Sequence, residues 1–312
     1  MSEASKHLLI SVVSPVYGSL NVLPELVKRI TESVSTISPH FEIILVDDRG
    51  PGEAWNIISD LSKQNSHVKG VKLSRNFGQH YAITAGLDHC KGEWVVVMDC
   101  DLQDPPESIP YLYQTALKED ASTVWAVRTE RKHSFFKQLG SRLFYKTLSW
   151  LTGIDYDHRI ANFGIYHRRV IDAVCALKEN IRFFPSMVRW VGFKSTTMEV
   201  VHGERTDGNS SYSLGKLMNL ALDIMLAYSD KPLRMAVKLG LFISLSSLLL
   251  IVITVIRYAL GVITVEGYFS TILSLWLLGG IIIFILGIVG LYIGKTFEGV
   301  KERPVYIVEE TT

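Results

Sequence analysis

The sequence predicts an α/β domain joined to a two-helix membrane hairpin, and two observations carry that prediction. Through residue 212, short and nearly unbroken apolar runs alternate with helix-period stretches, the pattern of a parallel sheet covered on both faces. Beyond it, the 56 residues Leu239–Gly294 hold only two formal charges, Arg257 and Glu266. Whole-chain numbers average over these unlike parts. In 312 residues, 48% hydrophobic and 20% charged exclude a disordered chain, and a net charge of +1 excludes a nucleic-acid binder built on a basic body. The mean hydropathy of +0.22 is high for a soluble enzyme. Its source is the hairpin.

Five runs read as strands: Leu8–Val13, Glu42–Val46, Val68–Leu73, Trp94–Met98 and Thr123–Val127. Helix-period stretches separate them, at Val22–Thr36, Glu53–Gln64, His80–His89 and Glu107–Leu117. In such a sheet, ligands bind outside the carboxyl ends of the strands. Residues 213–237 follow, where Leu217, Leu220, Ala221, Ile224 and Met225 recur at helical spacing, as in helices lying along a membrane surface. An amphipathic helix packed on the soluble domain fits the same pattern.

The hairpin occupies 238–294, with spans at about 239–260 and 271–293. Its uncharged cores, Leu239–Ile256 and Thr271–Ile293, give helices of roughly 27 and 34 Å, enough for a hydrocarbon layer of ~30 Å. Lys231, Arg234 and Lys238 precede the first span, and Lys295, Lys301 and Arg303 follow the second. The positive-inside rule therefore expects both termini in the cytoplasm, with 295–312 as a cytosolic tail. Leu8–Val13 is too short for a signal-peptide core. Cys90, Cys100 and Cys175 make no spaced pair and no zinc pattern, as expected of reduced cytosolic thiols.

The strand ends carry the chemistry. The loop after the first strand, Ser14-Pro15-Val16-Tyr17-Gly18, lacks the glycine fingerprint of a dinucleotide oxidoreductase. The second strand ends in Asp47-Asp48, and two adjacent carboxylates cannot both enter an apolar core. One should face the cleft, while the other could cap the next helix. After the third strand comes the polar, basic run Ser74–Gln79. The fourth ends in Asp99-Cys100-Asp101-Leu102-Gln103-Asp104, a cluster of hard oxygen donors suited to Mg²⁺ or Mn²⁺. Such an ion would neutralise a departing diphosphate.

Taken in order, SVVSPVYG, LVDDRGPGEAW, KLSRNFGQHYAITAGL, VVVMDCDLQDPPE and HGERTDGNSSYS resemble the inverting glycosyltransferases of the Rossmann-like GT-A fold. With the two-helix tail, the likeness is to polyprenyl-phosphate glycosyltransferases, and it spans essentially the whole chain. The resemblance implies a nucleotide-sugar site formed by Pro15, Tyr17, Asp47, Asp48, Arg75, Asp99 and Asp101. It implies a divalent metal on Asp101 and Gln103, and a catalytic set of Asp99, Asp101, Asn162 and Arg205, with Arg205 approaching the diphosphate. Arg128 and Arg131 are candidates for the acceptor phosphate. The implied partners are a nucleotide sugar, a polyprenyl phosphate and a membrane, typically the bacterial inner membrane. Self-association through the helices is left open, as are the sugar and the nucleotide.

Two departures stand out. The family commonly has Asn-Glu where this chain has Gly18-Ser19, and Asp before Phe-Arg where this chain has Asn162-Phe163-Gly164. Asn cannot act as a general base. A sugar hydroxyl generally needs one, whereas a lipid phosphate, with a second pKa near ~6, arrives anionic. Asn162 therefore favours transfer to polyprenyl phosphate over transfer to a hydroxyl on a lipid-linked glycan, unless Asp155 or Asp157 substitutes as base. A catalytically silent scaffold is the remaining reading, and the intact Asp99/Asp101/Gln103 group argues against it.

Overall fold

The computed structural model describes residues 10–18, 20–128, 160–177, 179–201, 229, 231–260 and 267–312. They fall into two compact units. The first, which includes Arg303–Thr312, is built on one eight-stranded sheet of order β7-β5-β6-β4-β1-β2-β3-β8. Its strands are β1 (Ile10–Val16), β2 (Phe41–Asp47), β3 (Val68–Leu73), β4 (Trp94–Val97), β5 (Thr123–Arg128), β6 (Ile160–His167), β7 (Ser195–Val200) and β8 (Val308–Thr311).

Side chains alternating along the central strands feed two cores. On β2, Ile43 and Leu45 join one core with Leu26 and Ile30 of α1 (Leu23–Ser35), Ile58 of α2 (Ala54–Gln64) and Leu112 of α4 (Ile109–Lys118). Ile44 and Val46 join the other with Ile83 and Leu87 of α3 (Gln79–His89), Ile171 of α5 (Arg168–Ala176) and Met187 of α6 (Phe184–Trp190). α1 is helical because Leu23, Leu26, Val27, Ile30 and Val34 form one buried stripe, with a proline in its first turn. α3 lies close against β1 and β2. A Cβ on Gly86 would come within 2.3 Å of Val13 Cγ1, so only glycine fits there.

The structure corrects the expectation of a parallel sheet. β1, β2, β3 and β4 pair parallel, as do β5 and β7, but β6 enters between β4 and β5 antiparallel to both. β8 is also antiparallel, along the outer edge of β3. Neither arrangement has a local signature, because each partner lies far away in sequence. β1 runs to Val16 rather than Val13, so Ser14 and Pro15 are buried strand residues, Pro15 opposite Val46.

The second unit contains α7 (Lys231–Ala259) and α8 (Tyr268–Val300). α7 is continuous from Lys231, with Pro232 in its first turn where no intrahelical N–H is required, so the expected boundary at 238 falls inside one helix. Among the described residues, Leu277–Phe297 is long and apolar enough to cross a membrane by length and composition, with a mean hydropathy of 2.5. Its large side chains, among them Ile283, Phe284 and Leu286, are exposed. Ser229 accepts a hydrogen bond through its carbonyl from the Tyr292 hydroxyl at 2.7 Å.

Candidate active site

The carboxyl ends of β2, β3 and β4 converge. Asp47 and Asp48, consecutive on an extended chain, point to opposite faces of the sheet. Asp47 faces α2 and lines a cleft of about 240 Å³ with Arg49, Gly50, Glu53, Trp55, Asn56 and Lys72. Its Oδ1 accepts from the Arg49 amide at 2.9 Å, a tight turn that holds Arg49 in the left-handed region at φ 52°. Burial pushes the Asp47 carboxyl above its usual range, against the pull of Arg49 and Lys72.

Asp48 faces the other way and is only 2% exposed. Its carboxylate accepts from the Phe77 amide at 2.8 Å and from the Gly78 amide at 3.0 Å. It thereby ties the end of β2 to the loop that opens α3. Gly78 sits at φ 108°, a conformation that favours glycine, so the loop turns there. Desolvation raises the Asp48 pKa to about 6, and the two amide bonds offset only part of that shift.

The next residue continues the connection. Gln79, first in α3, donates through Nε2 to Asp99 Oδ1 at 2.6 Å. One path of hydrogen bonds therefore runs from β2 through Asp48, the 77–78 amides and Gln79 to Asp99 beyond β4. His80 packs edge-on against Phe183, and burial lowers its pKa to about 4, leaving a neutral imidazole.

The segment beyond β4 is clamped from outside. Asp101 Oδ1 accepts from the Gln103 amide at 3.1 Å, and Leu102 between them is held at φ 58°, an uncommon conformation for a branched side chain. Further on, Glu107 receives two 2.7 Å bonds from Arg29 of α1, and Ser33 Oγ donates to the Pro106 carbonyl at 2.6 Å. Glu107 is accordingly held below the usual carboxylate range. Cys100 between the two aspartates is buried and its thiol is pushed up to about 12, so it is inert.

Asn162 is brought to this end of the sheet by pairing. It lies on β6 two residues before Gly164, which pairs with Val97 at the end of β4. Gly164 is sterically required, since a Cβ there would lie 2.8 Å from the Tyr166 hydroxyl and the Val124 carbonyl. The arginine that the family often has at that position would find no room here. The β1 and β2 loops meet at Gly50, where a Cβ would stand 2.7 Å from the Gly18 amide nitrogen and 3.0 Å from Tyr17 Cα. Tyr17 itself is 54% exposed, and Arg75 lies over the Phe77 ring at 4.1 Å.

The expected residues divide accordingly. Asp47, Asp48, Asp99, Asp101, Gln103 and Asn162 lie at neighbouring strand ends, and Tyr17 and Arg75 sit exposed on the flanking loops. Pro15 is buried in β1. Arg128 ends β5, while Arg131, Asp155, Asp157 and Arg205 lie outside the described residues. Gln79, Trp55, Arg49 and Lys72 are additions from the structure. Gln79 was within reach of the sequence, as the first polar residue of a helix after a strand end.

Among the described residues, no group of three or more His, Cys, Asp or Glu side chains could hold a metal by itself. Asp99, Asp101 and the Gln103 side-chain amide, on one short segment beyond β4, are hard-oxygen donors of the kind that Mg²⁺ or Mn²⁺ uses when substrate phosphates complete the shell.

Residues 11–175 match the model of glycosyl transferase family 2, and residues 231–296 match that of the GtrB C-terminal hairpin. The glycosyltransferase YkcC of Bacillus subtilis (strain 168) is 37% identical over 98% of this chain and 95% of its own. The undecaprenyl-phosphate 4-deoxy-4-formamido-L-arabinose transferase of Enterobacter sp. (strain 638) is 35% identical over 96% and 92%. Among solved structures, glucosyl-3-phosphoglycerate synthase from Mycobacterium tuberculosis, in complex with Mn²⁺, uridine diphosphate and phosphoglyceric acid, aligns with a TM-score of 0.49. It is 15% identical, over 70% of this chain and 76% of that one.

Proposed function

This chain belongs to glycosyl transferase family 2 and carries a GtrB C-terminal hairpin, and from that premise we propose that it transfers a sugar from a nucleotide-sugar donor to a polyprenyl phosphate, with inversion. Undecaprenyl phosphate, the lipid in the name of the Enterobacter relative, is the acceptor of choice. The observation that carries the reading is the hydrogen-bonded path from Asp48 through Gln79 to Asp99, with Asn162, which cannot take a proton, on the strand paired with β4.

The roles follow from that geometry. Asp47 and Tyr17 receive the nucleoside half of the donor, with Arg75 and Arg205 available to its diphosphate. Asp48 contributes indirectly, by fixing the loop from which Arg75 projects. A Mg²⁺ or Mn²⁺ ion on Asp101 and Gln103, with Asp99 toward the sugar, would neutralise the diphosphate as it leaves. An oxygen of the lipid phosphate attacks the anomeric carbon from the face opposite the leaving group. The new C–O bond forms as the bond to the nucleoside diphosphate breaks, and that group departs with the electron pair. No proton moves, so the catalytic demand is alignment and charge screening. Asn162 can orient donor or acceptor by hydrogen bonding. Arg128 and Arg131 are the candidates to meet the acceptor phosphate.

The protein associates with the membrane through the hairpin, and we read it as crossing twice with both termini cytoplasmic. Two features support this topology. The basic residues flank the hairpin on its outer ends. The chain after the hairpin also returns to the sheet from which it came, as β8 beside β3, which requires an even number of crossings. The same reading keeps 1–212 as the catalytic part, joined by β8, and starts the hairpin at Lys231, where α7 begins, rather than at 238.

The test is direct. Membranes containing the protein are given a panel of nucleotide sugars, undecaprenyl phosphate and Mg²⁺ or Mn²⁺, and the lipid product is identified by mass. A lipid-phosphate sugar, labile to mild acid, is expected. A product formed only on hydroxyl acceptors would overturn the proposal.

A further inference from the structure

The outer edge of the sheet beside the Asp47 cleft is formed by the last residues of the chain. β8 sets Glu310 opposite Lys72 and Thr311 opposite Val71, and Thr312 Oγ1 accepts from the Gly70 amide at 2.8 Å. The Tyr306 hydroxyl donates to Asp88 Oδ2 at 2.6 Å, fixing the approach to the strand. This anchoring brings Glu309 against two cations of the cleft. One carboxylate oxygen pairs with Arg49 Nη2, and the other lies 3.2 Å from Lys72 Nζ.

Arg49 and Lys72 are the two cations in the cleft wall that contains Asp47. Both attract the Asp47 carboxylate, and Glu309 competes for the same pair. The backbone of Arg49 is already committed to Asp47, but its side chain is turned away, with Nε donating to the Leu73 carbonyl at 3.1 Å and the guanidinium reaching Glu309. Lys72 likewise lies over the Trp55 ring at 5.6 Å, between Glu309 and Glu310. Without Glu309, Lys72 keeps Glu310 at 3.5 Å, while the Arg49 guanidinium, still tied through Nε to the Leu73 carbonyl, loses its carboxylate partner in the wall that holds Asp47.

We infer that Glu309 is a positioning residue of the donor site: by holding Arg49 and Lys72 toward β8, it keeps the Asp47 carboxylate open to the nucleoside half of a nucleotide-sugar donor. The inference rests on the functional reading above. It gives β8 a part in donor binding beyond closing a sheet edge.

The experiment is steady-state kinetics on full-length protein with Glu309→Gln, Glu309→Ala and Glu309→Asp, varying the nucleotide sugar and the lipid phosphate separately. The pair is partly exposed, so the expected rise in donor KM is modest, about fivefold for Gln and Ala. The turnover number should stay within a factor of about two, because nothing in the pair touches the reacting atoms. The lipid KM should not move, and Asp should recover most of the donor affinity. Gln is nearly isosteric and leaves the β8 pairing intact, so a wild-type thermal midpoint for that variant separates positioning from folding. Wild-type donor KM in both Gln and Ala variants, or a loss confined to turnover, overturns the inference while leaving the functional reading in place. A wild-type protein inert toward every nucleotide sugar overturns the functional reading, and the inference with it.

Discussion

Replacing Asp48 with Asn should make the protein's stability less sensitive to pH, in a direction and amount set by burial. The carboxylate is 2% exposed, and its pKa is about 6 against an ordinary 3.8. Below pH 3.8 the group is protonated in the folded and unfolded chains alike. Between 3.8 and 6 the unfolded chain releases the proton while the folded chain keeps it, so this group's contribution to stability declines as pH rises. At ~1.4 kcal/mol per unit, a shift of about two units amounts to roughly 3 kcal/mol, all of it lost above pH 6. Asn has no proton to release. It also gives up one acceptor oxygen facing the 77–78 amides, at a cost of about 1 kcal/mol that does not vary with pH. Urea unfolding of the full-length protein in detergent, followed by tryptophan fluorescence between pH 4 and 7, measures both forms. Trp94 and Trp125, buried in the sheet, report on the relevant unit. Stability of the variant minus that of the wild type should increase by about 3 kcal/mol across the range. A difference that stays flat with pH would refute the argument that desolvation dominates at Asp48.

Four further outcomes are expected. Gly50→Ala should force the Tyr17–Gly18 backbone away by several tenths of an ångström and raise the donor KM, read from initial rates; an unchanged KM would remove that loop from donor binding. Gln79→Ala, which releases Asp99, should lower turnover about 10-fold or more and shift the Mg²⁺ or Mn²⁺ titration, as loss of a supporting hydrogen bond does at metal sites. Asp101→Asn should reduce transfer by about 100-fold or more at saturating substrates, and retention of full activity would exclude the metal assignment. Asn162→Asp should leave the rate with a lipid phosphate within about threefold, whereas a manyfold gain would mean that a general base is limiting after all.

Much of the site was legible because its residues are close together in sequence. Asp47-Asp48 and Asp99-Cys100-Asp101 each end an apolar run, and a buried strand must release its polar residues at its carboxyl end. The sequence required at least one of Asp47 and Asp48 to face the cleft, and the resemblance put Asp48 foremost at the nucleoside; the structure instead lines the cleft with Asp47, because the two take opposite faces of the sheet. The sequence suggested helix capping for the other, and the structure engages Asp48 with the amides of the following strand's loop. The role of Gly164 was hidden for a related reason. The space an arginine would need is taken by Tyr166, and the absence of that arginine makes sense only once β5 and β6 are paired.

By itself, the sequence determined the alternation of strands and helices, the apolar hairpin with its basic flanks, and the acidic strand ends, since each is written in periodicity or in adjacent residues. Tertiary structure alone decided that β6 and β8 enter antiparallel, that Gln79 supports Asp99, and that Glu309 faces Arg49 and Lys72 from the far end of the chain. Strand order and long-range pairing are fixed by the joint packing of two cores on one twisted sheet. Contacts between residues 260 positions apart leave no local pattern from which they could be read.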